Sequence, residues 1–299
     1  MRVLITGASG FVGRNLMAHL AQRGYELIAL DLKEAEVEGD VTDADFVFTR
    51  LGELSFDAII HLAALTNIPQ SIEKPYETIK VNAVGTLNVA ELAIRKKVTQ
   101  LIYASTANVY GNPSSVPVDE TAPRAPRTPY DYSKCIGEQI LEAYARAKGL
   151  PVTILRSWKL FGEWDSLGSA VCRFIIRALR GEPLELYNSG RDVSDFTYIA
   201  NYCRIVELVL ERPSSSLRVY NVGTGTPISI KQLAQEIVRL TSSSSRILEL
   251  PPRHPLEETM VSYPSIEKAK HELGYRPVVD LKEGLNRTIA WIKSLGITG

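Results

Sequence analysis

Two tyrosines and a lysine stand close together in RTPYDYSKCIG, residues 127–137. A phenol beside an ammonium is acid/base chemistry, because the cation lowers the phenol's pKa toward the working range and the phenol then takes or returns a proton. On a helix, residues four apart share a face and residues two apart do not. Tyr130 can therefore work with Lys134, whereas Tyr132 cannot. A hydroxyl donor for the same chemistry stands in LIYASTANVYG, where Ser105 and Thr106 end an apolar run. Singly these features are common, since a tyrosine and a lysine share this spacing in many helices by chance. Together Thr106, Tyr130 and Lys134 form a coherent set of hydroxyl donor, phenol base and activating cation.

The element that must carry Tyr130 and Lys134 is well signalled. Thr128 can cap a helix, Pro129 suits its first position, and Asp131 places negative charge at the positive end of the dipole. Ile136, Ile140, Leu141 and Tyr144 continue an apolar stripe to a stop at Gly149. Gly137 interrupts that stripe and weakens the helix unless something packs closely against it. Around this helix the chain alternates short β-rich runs with helical patterns. RVLIT, ELIALD, DAIIHLAA, LIYAS and VTILR read as strands, and Phe11 to Arg23 and Val81 to Arg95 as helices. Such alternation predicts a doubly wound parallel sheet of the Rossmann type, with ligand held at the carboxyl ends of the strands. Ser105 and Thr106 fall there.

After Arg156 the alternation weakens. Helices are expected over Ser169 to Arg180 and Leu281 to Lys293, with another capped by Ser229. The expected division is a dinucleotide-binding domain over 1–156, with 195–222 returning to it, and a smaller C-terminal α/β substrate lobe over 157–299.

MRVLITGASGFVG sets Gly7, Gly10 and Gly13 between the first strand and the first helix. Glycines there allow a tight turn and close approach of a pyrophosphate, whose charge the helix N-terminus favours. Asp31 ends the second strand, where a carboxylate can bond adenosine ribose hydroxyls and repel a 2′-phosphate. NAD is favoured over NADP, although Lys33 is near enough to soften that argument. The plainer alternative is a solvated aspartate following a strand.

Lysine plus arginine equals aspartate plus glutamate at 34 each, which removes the basic field that nucleic-acid binding uses. No apolar run approaches a membrane span, and Met1 leads directly into a strand-like run. A soluble cytoplasmic protein with a small-molecule ligand is expected. Cys135, Cys172 and Cys203 are scattered, show no metal-ligand spacing and read as reduced packing residues, so no metal is expected.

GASGFVG, the acidic end of ELIALD, GDV at 39–41, HLAA at 61–64, VNAVGT at 81–86, STANVYG, YxxxK, DFTYI and YNVG follow one another along nearly the whole chain. In that order they resemble the successive blocks of the extended short-chain dehydrogenase/reductases, specifically the NAD-dependent nucleotide-sugar epimerase/dehydratase group. The resemblance implies that Tyr130 is the acid/base, that Lys134 holds the nicotinamide ribose, and that Thr106 meets the sugar 4-hydroxyl. It implies cofactor contacts at Gly7, Gly10, Phe11, Val12, Gly13, Asp31, Asp40, Val41, Leu62, Ala63, Ala64, Asn82 and Ser105. It implies substrate contacts at Thr66, Thr106, Lys159, Tyr187 and Arg253. Relatives of this kind often pair through two helices, for which 81–95 and 129–148 are candidates, so a homodimer is expected.

Several positions depart from the group's pattern. Related 4,6-dehydratases place an acidic pair directly after the active-site threonine, and this chain has Ala107 and Asn108. RSWKLFG offers Lys159 where asparagine is usual, and SDFTYI has Ser194 in place of an arginine that meets the nucleotide diphosphate. Lys159 reads either as a replacement point charge or as a surface lysine, and Arg191 is a second possible substitute. The first expectation is inversion at C4 of a UDP-sugar, UDP-galactose/UDP-glucose, through a transient 4-keto sugar. YNSGRDVSDFTYI also resembles UDP-glucuronate 4-epimerases. The other readings are a reductase of a 4-keto nucleotide sugar, which would release its nicotinamide at each turnover, and a silent nucleotide sensor.

Overall fold

The computed structural model describes residues 1–252 and 259–297. In chain order its first half comprises β1 (Arg2–Thr6), α1 (Phe11–Gln22), β2 (Glu26–Asp31), β3 (Val37–Glu38), α2 (Ala44–Glu53), β4 (Ala58–His61), α3 (Ile68–Glu73), α4 (Pro75–Ile79), α5 (Gly85–Lys96), β5 (Gln100–Thr106), α6 (Pro129–Lys148) and β6 (Val152–Ser157). Its second half comprises β7 (Lys159–Phe161), α7 (Ala170–Leu179), β8 (Leu184–Leu186), β9 (Val193–Ser194), β10 (Phe196–Tyr198), α8 (Ile199–Glu211), β11 (Arg218–Val222), β12 (Ile228–Ser229), α9 (Ile230–Leu240), β13 (Ile247–Glu249), β14 (Val261–Ser262), α10 (Glu267–Leu273) and α11 (Leu281–Ser294).

Seven strands form one parallel sheet in the order β11-β6-β5-β4-β1-β2-β3. Because strand side chains alternate between faces, Val3 and Ile5 enter one apolar cluster and Leu4 the other. The first cluster is completed by α1 and α8, the second by α2, α5 and α6. Both faces are thus covered, which explains runs such as AIIH that are buried at every position. Strand order reverses between β1 and β4, and a doubly wound sheet opens its ligand crevice at such a switch point.

Several elements were not anticipated, among them α2, α3, α4 and α10. Residues 44–53 form α2, capped by Asp43, whose side chain accepts from the Phe46 N–H. The helix expected from Val81 instead begins with a π turn, Lys80–Val84, and becomes α-helical at Gly85. Beyond the sheet, β7 pairs with β10, β8 with β13, and β9 with both β12 and β14.

Candidate active site

Thr128 and Asp131 form a reciprocal capping box at the start of α6: the Thr128 hydroxyl accepts from the Asp131 N–H, and the Asp131 carboxylate accepts from the Thr128 N–H. Tyr130 and Lys134 follow on one face, buried beside the end of β5, and both line a cleft of about 600 Å³. Thr106 lines it as well, with its hydroxyl close enough to Tyr130 to act on the phenol. Tyr132 is half exposed. Gly137 is explained by Tyr103, whose ring carbon would lie 2.9 Å from any Cβ built there.

The expected lowering of the Tyr130 pKa by Lys134 does not appear. Burial pushes the Tyr130 phenol up to about 12, Thr106 hydrogen bonding opposes this, and Asp131 adds to it. The Lys134 ammonium instead donates to the Ala104 carbonyl at 2.9 Å and lies 4.8 Å from the centre of the Tyr103 ring. Its own pKa is lowered to about 8 by burial, against the pull of Glu138.

The other end of the cleft is built from backbone. Gly7 has φ +73°, and a Cβ there would fall 2.7 Å from the Ala63 nitrogen, so only glycine allows the turn and the loop after β4 to meet. The N-terminus of α1 has no side-chain cap and no acidic residue in its first turn, which leaves its N–H groups for an anion. Gly7, Gly10, Phe11, Val12, Gly13, Asp31, Asp40, Val41, Leu62, Ala63 and Ala64 all line the cleft. Asp31 accepts from the Ser9 and Leu32 N–H groups at 2.9 and 2.8 Å, which fixes its carboxylate, while Lys33 is exposed and is not a lining residue. An uncapped helix, a bare glycine turn and an oriented carboxylate fit a pyrophosphate flanked by an adenosine ribose.

Two residues expected at the cofactor act from behind. Asn82 is not in the cleft: its side chain accepts from the Leu65 N–H, donates to the Leu65 carbonyl, and donates to the Ser133 hydroxyl. It ties the loop after β4 to α6. Ser105 lines the cleft, but its hydroxyl donates to Glu138 at 2.6 Å, part of a buried network in which Glu138 also pairs with Arg156 and Arg124.

On the opposite wall stand Thr66, Lys159 and Ser194. Lys159 is exposed yet crowded by protein, and that crowding lowers its ammonium pKa against the pull of Asp131 and Asp192. Arg191 is turned onto its own loop, donating to the carbonyl and side-chain oxygens of Asn188. Of the two candidates to replace the missing arginine, Lys159 faces the cleft and Arg191 does not. Tyr187 lies outside the cleft lining, held in a short turn where Asn188 and Ser189 take positive φ. Arg253 falls outside the described residues. Sequence reasoning missed Asp165, Trp158 and Tyr202, which also line the cleft. Trp158 followed from its place after β6, while Asp165 and Tyr202 carried no local signal.

A doubly wound sheet holding a glycine turn at one end of a cleft and a Tyr/Lys pair with a threonine at the other is the arrangement of a dinucleotide-dependent enzyme. Residues 3–223 match the model of the NAD dependent epimerase/dehydratase family. The chain belongs to that family, and its cofactor is NAD. It is 34% identical to UDP-glucuronic acid decarboxylase 1 of Danio rerio over 97% of this chain and 72% of that protein. Human dTDP-D-glucose 4,6-dehydratase is 29% identical over 98% of this chain and 90% of its own length. Among solved structures, UDP-glucose 4-epimerase of Thermotoga maritima with UDP-glucose superposes with a TM-score of 0.92 at 29% identity, covering 99% of both chains. Three chemistries therefore occur on closely similar scaffolds.

Proposed function

We propose that the protein inverts C4 of a UDP-sugar, UDP-galactose/UDP-glucose first. The observation that carries this reading is the residue pair after Thr106. Ala107 and Asn108 begin a short 3-10 turn there, so no carboxylic acid follows the threonine to expel a 6-hydroxyl as water. Of the acids that line the cleft, Asp31 and Asp40 stand at its adenosine end, and Asp165 belongs to the segment after β7 in which Asn15 of α1 holds the Glu163 carbonyl.

When bound and oxidised, NAD would supply a hydride acceptor and a positive charge to the site. Tyr130 takes the C4 hydroxyl proton and later returns it. Thr106 holds the C4 oxygen and bridges it to Tyr130, while Lys134 supplies a positive charge from the same face of α6. Asp31 and Asp40 hold the adenosine end, and Lys159 meets the substrate diphosphate. With both ends anchored, the 4-keto sugar is the part free to turn over.

The test is incubation of the purified protein, with no cofactor added, with UDP-, dTDP-, GDP- and CDP-sugars, followed by NMR. Inversion at C4 without loss of water or carbon dioxide is expected, and Tyr130→Phe should cut it by about a hundred-fold or more while retaining NAD. Loss of carbon dioxide from UDP-glucuronate would replace the reading with decarboxylation. Stoichiometric consumption of NADH in a parallel incubation supplied with NADH would replace it with a reductase, and an inert panel with a sensor.

A further inference from the structure

Beside the polar groups Thr106 and Lys134, part of the cleft lining is apolar. Phe11, Val12, Leu62, Ala104 and Leu160 supply it and pack on the apolar cluster under the sheet's carboxyl edge. Tyr202, in the first turn of α8, belongs to that cluster and lines the same cleft, yet carries a hydroxyl. The residue is 1% exposed, and its hydroxyl has no hydrogen-bond partner among the described residues. Burial and the neighbouring Tyr130 both raise its pKa, so it stays a neutral phenol close to the reacting one. A buried hydroxyl left without a partner is costly, and native proteins place such groups where a ligand or water answers them.

The cofactor's direction narrows what answers this one. With adenosine at Asp31 and pyrophosphate at Gly7, the nicotinamide end lies toward Tyr130, over the apolar lining that Tyr202 joins. Its carboxamide carries both an N–H donor and a carbonyl acceptor, and a neutral phenol serves either. We propose that the Tyr202 hydroxyl is a hydrogen-bond anchor for the nicotinamide carboxamide, making Tyr202 a positioning residue that fixes which face of the ring the substrate meets. This rests on NAD as the cofactor and not on the C4 reaction.

The test compares Tyr202→Phe with wild type by titration calorimetry, using NAD and ADP-ribose, which lacks the nicotinamide ring. The variant should bind NAD about tenfold more weakly and ADP-ribose equally well. Cofactor-free Tyr202→Phe should melt at the same or a higher temperature than cofactor-free wild type, because removing an unpartnered hydroxyl costs nothing. Unchanged NAD affinity would overturn the proposal. So would equal weakening toward both ligands, or a lower melting temperature without cofactor, since each assigns the hydroxyl to the fold. Failure of wild type to bind NAD would instead strike the cofactor assignment.

Discussion

His61 shows how burial sets the charge of a single residue. It lies at the end of β4, with Nδ1 2.7 Å from the Thr6 hydroxyl and Nε2 3.1 Å from that of Thr86. Burial, reinforced by Lys134, lowers its pKa to about 3. Between that value and the ordinary 6.5 the unfolded chain binds a proton that the native chain refuses. The stability from neutral His61 is therefore complete above about pH 6.5 and is lost as pH falls toward 3, at about 1.4 kcal/mol per pH unit. Asp165, raised to about 6 by burial, acts with opposite sign over part of that range. The check is thus a comparison: denaturation of His61→Gln should show a flatter acid limb than wild type, and parallel limbs would mean that His61 titrates normally. Lys159 belongs to the same scale. Lys159→Ala should raise KM for the nucleotide sugar about tenfold without changing NAD affinity, as expected for a lost charge-assisted contact, and adding Ser194→Arg should restore it. An unchanged KM would return Lys159 to the role of a wall residue.

At the scale of elements, α6 is held from both sides. Asn82 and Ser71 hold its first turns, the latter by accepting from the Tyr130 N–H, and Glu138 anchors it to β6 through Arg156. The capping box and the Tyr/Lys spacing were legible because helix geometry is local. Asn82 was read as a cofactor contact because its true partners, Leu65 and Ser133, are far apart in sequence and met through a π turn with no sequence signature. Gly137 tests how firmly α6 is seated. Alanine would gain helix propensity of about 1 kcal/mol, but its Cβ would press on Tyr103, which is pinned between His61 and Lys134. Overpacking of about 1–3 kcal/mol should prevail, so Gly137→Ala should unfold at lower urea, and a second change, Tyr103→Phe, should recover part of the loss. Greater stability in the single variant would show that Tyr103 yields freely.

For the whole molecule, Val84 and Leu87 at the start of α5 and Tyr132 on α6 are exposed apolar side chains on neighbouring helices. A second copy of the chain is the expected occupant of that face, as the family resemblance implied. Light scattering should give twice the chain mass of 33.1 kDa, and Val84→Glu with Leu87→Glu should halve it. A wild-type mass of one chain would end that expectation. No helix among the described residues is long and apolar enough to cross a membrane.

Local chemistry carried much of this protein in the sequence: the alternation of short β-rich runs with helical patterns specified a parallel sheet with helices on both faces, glycine marked the turn at Gly7, and four-residue spacing paired Tyr130 with Lys134. Tertiary structure decided what depends on distant segments meeting. It turned Ser105 to Glu138 and Asn82 to Leu65, chose Lys159 over Arg191 for the cleft, raised rather than lowered the Tyr130 pKa, and set an unpartnered Tyr202 hydroxyl beneath the reacting end. Each of those outcomes follows from burial and long-range contact, quantities that no stretch of neighbouring residues encodes.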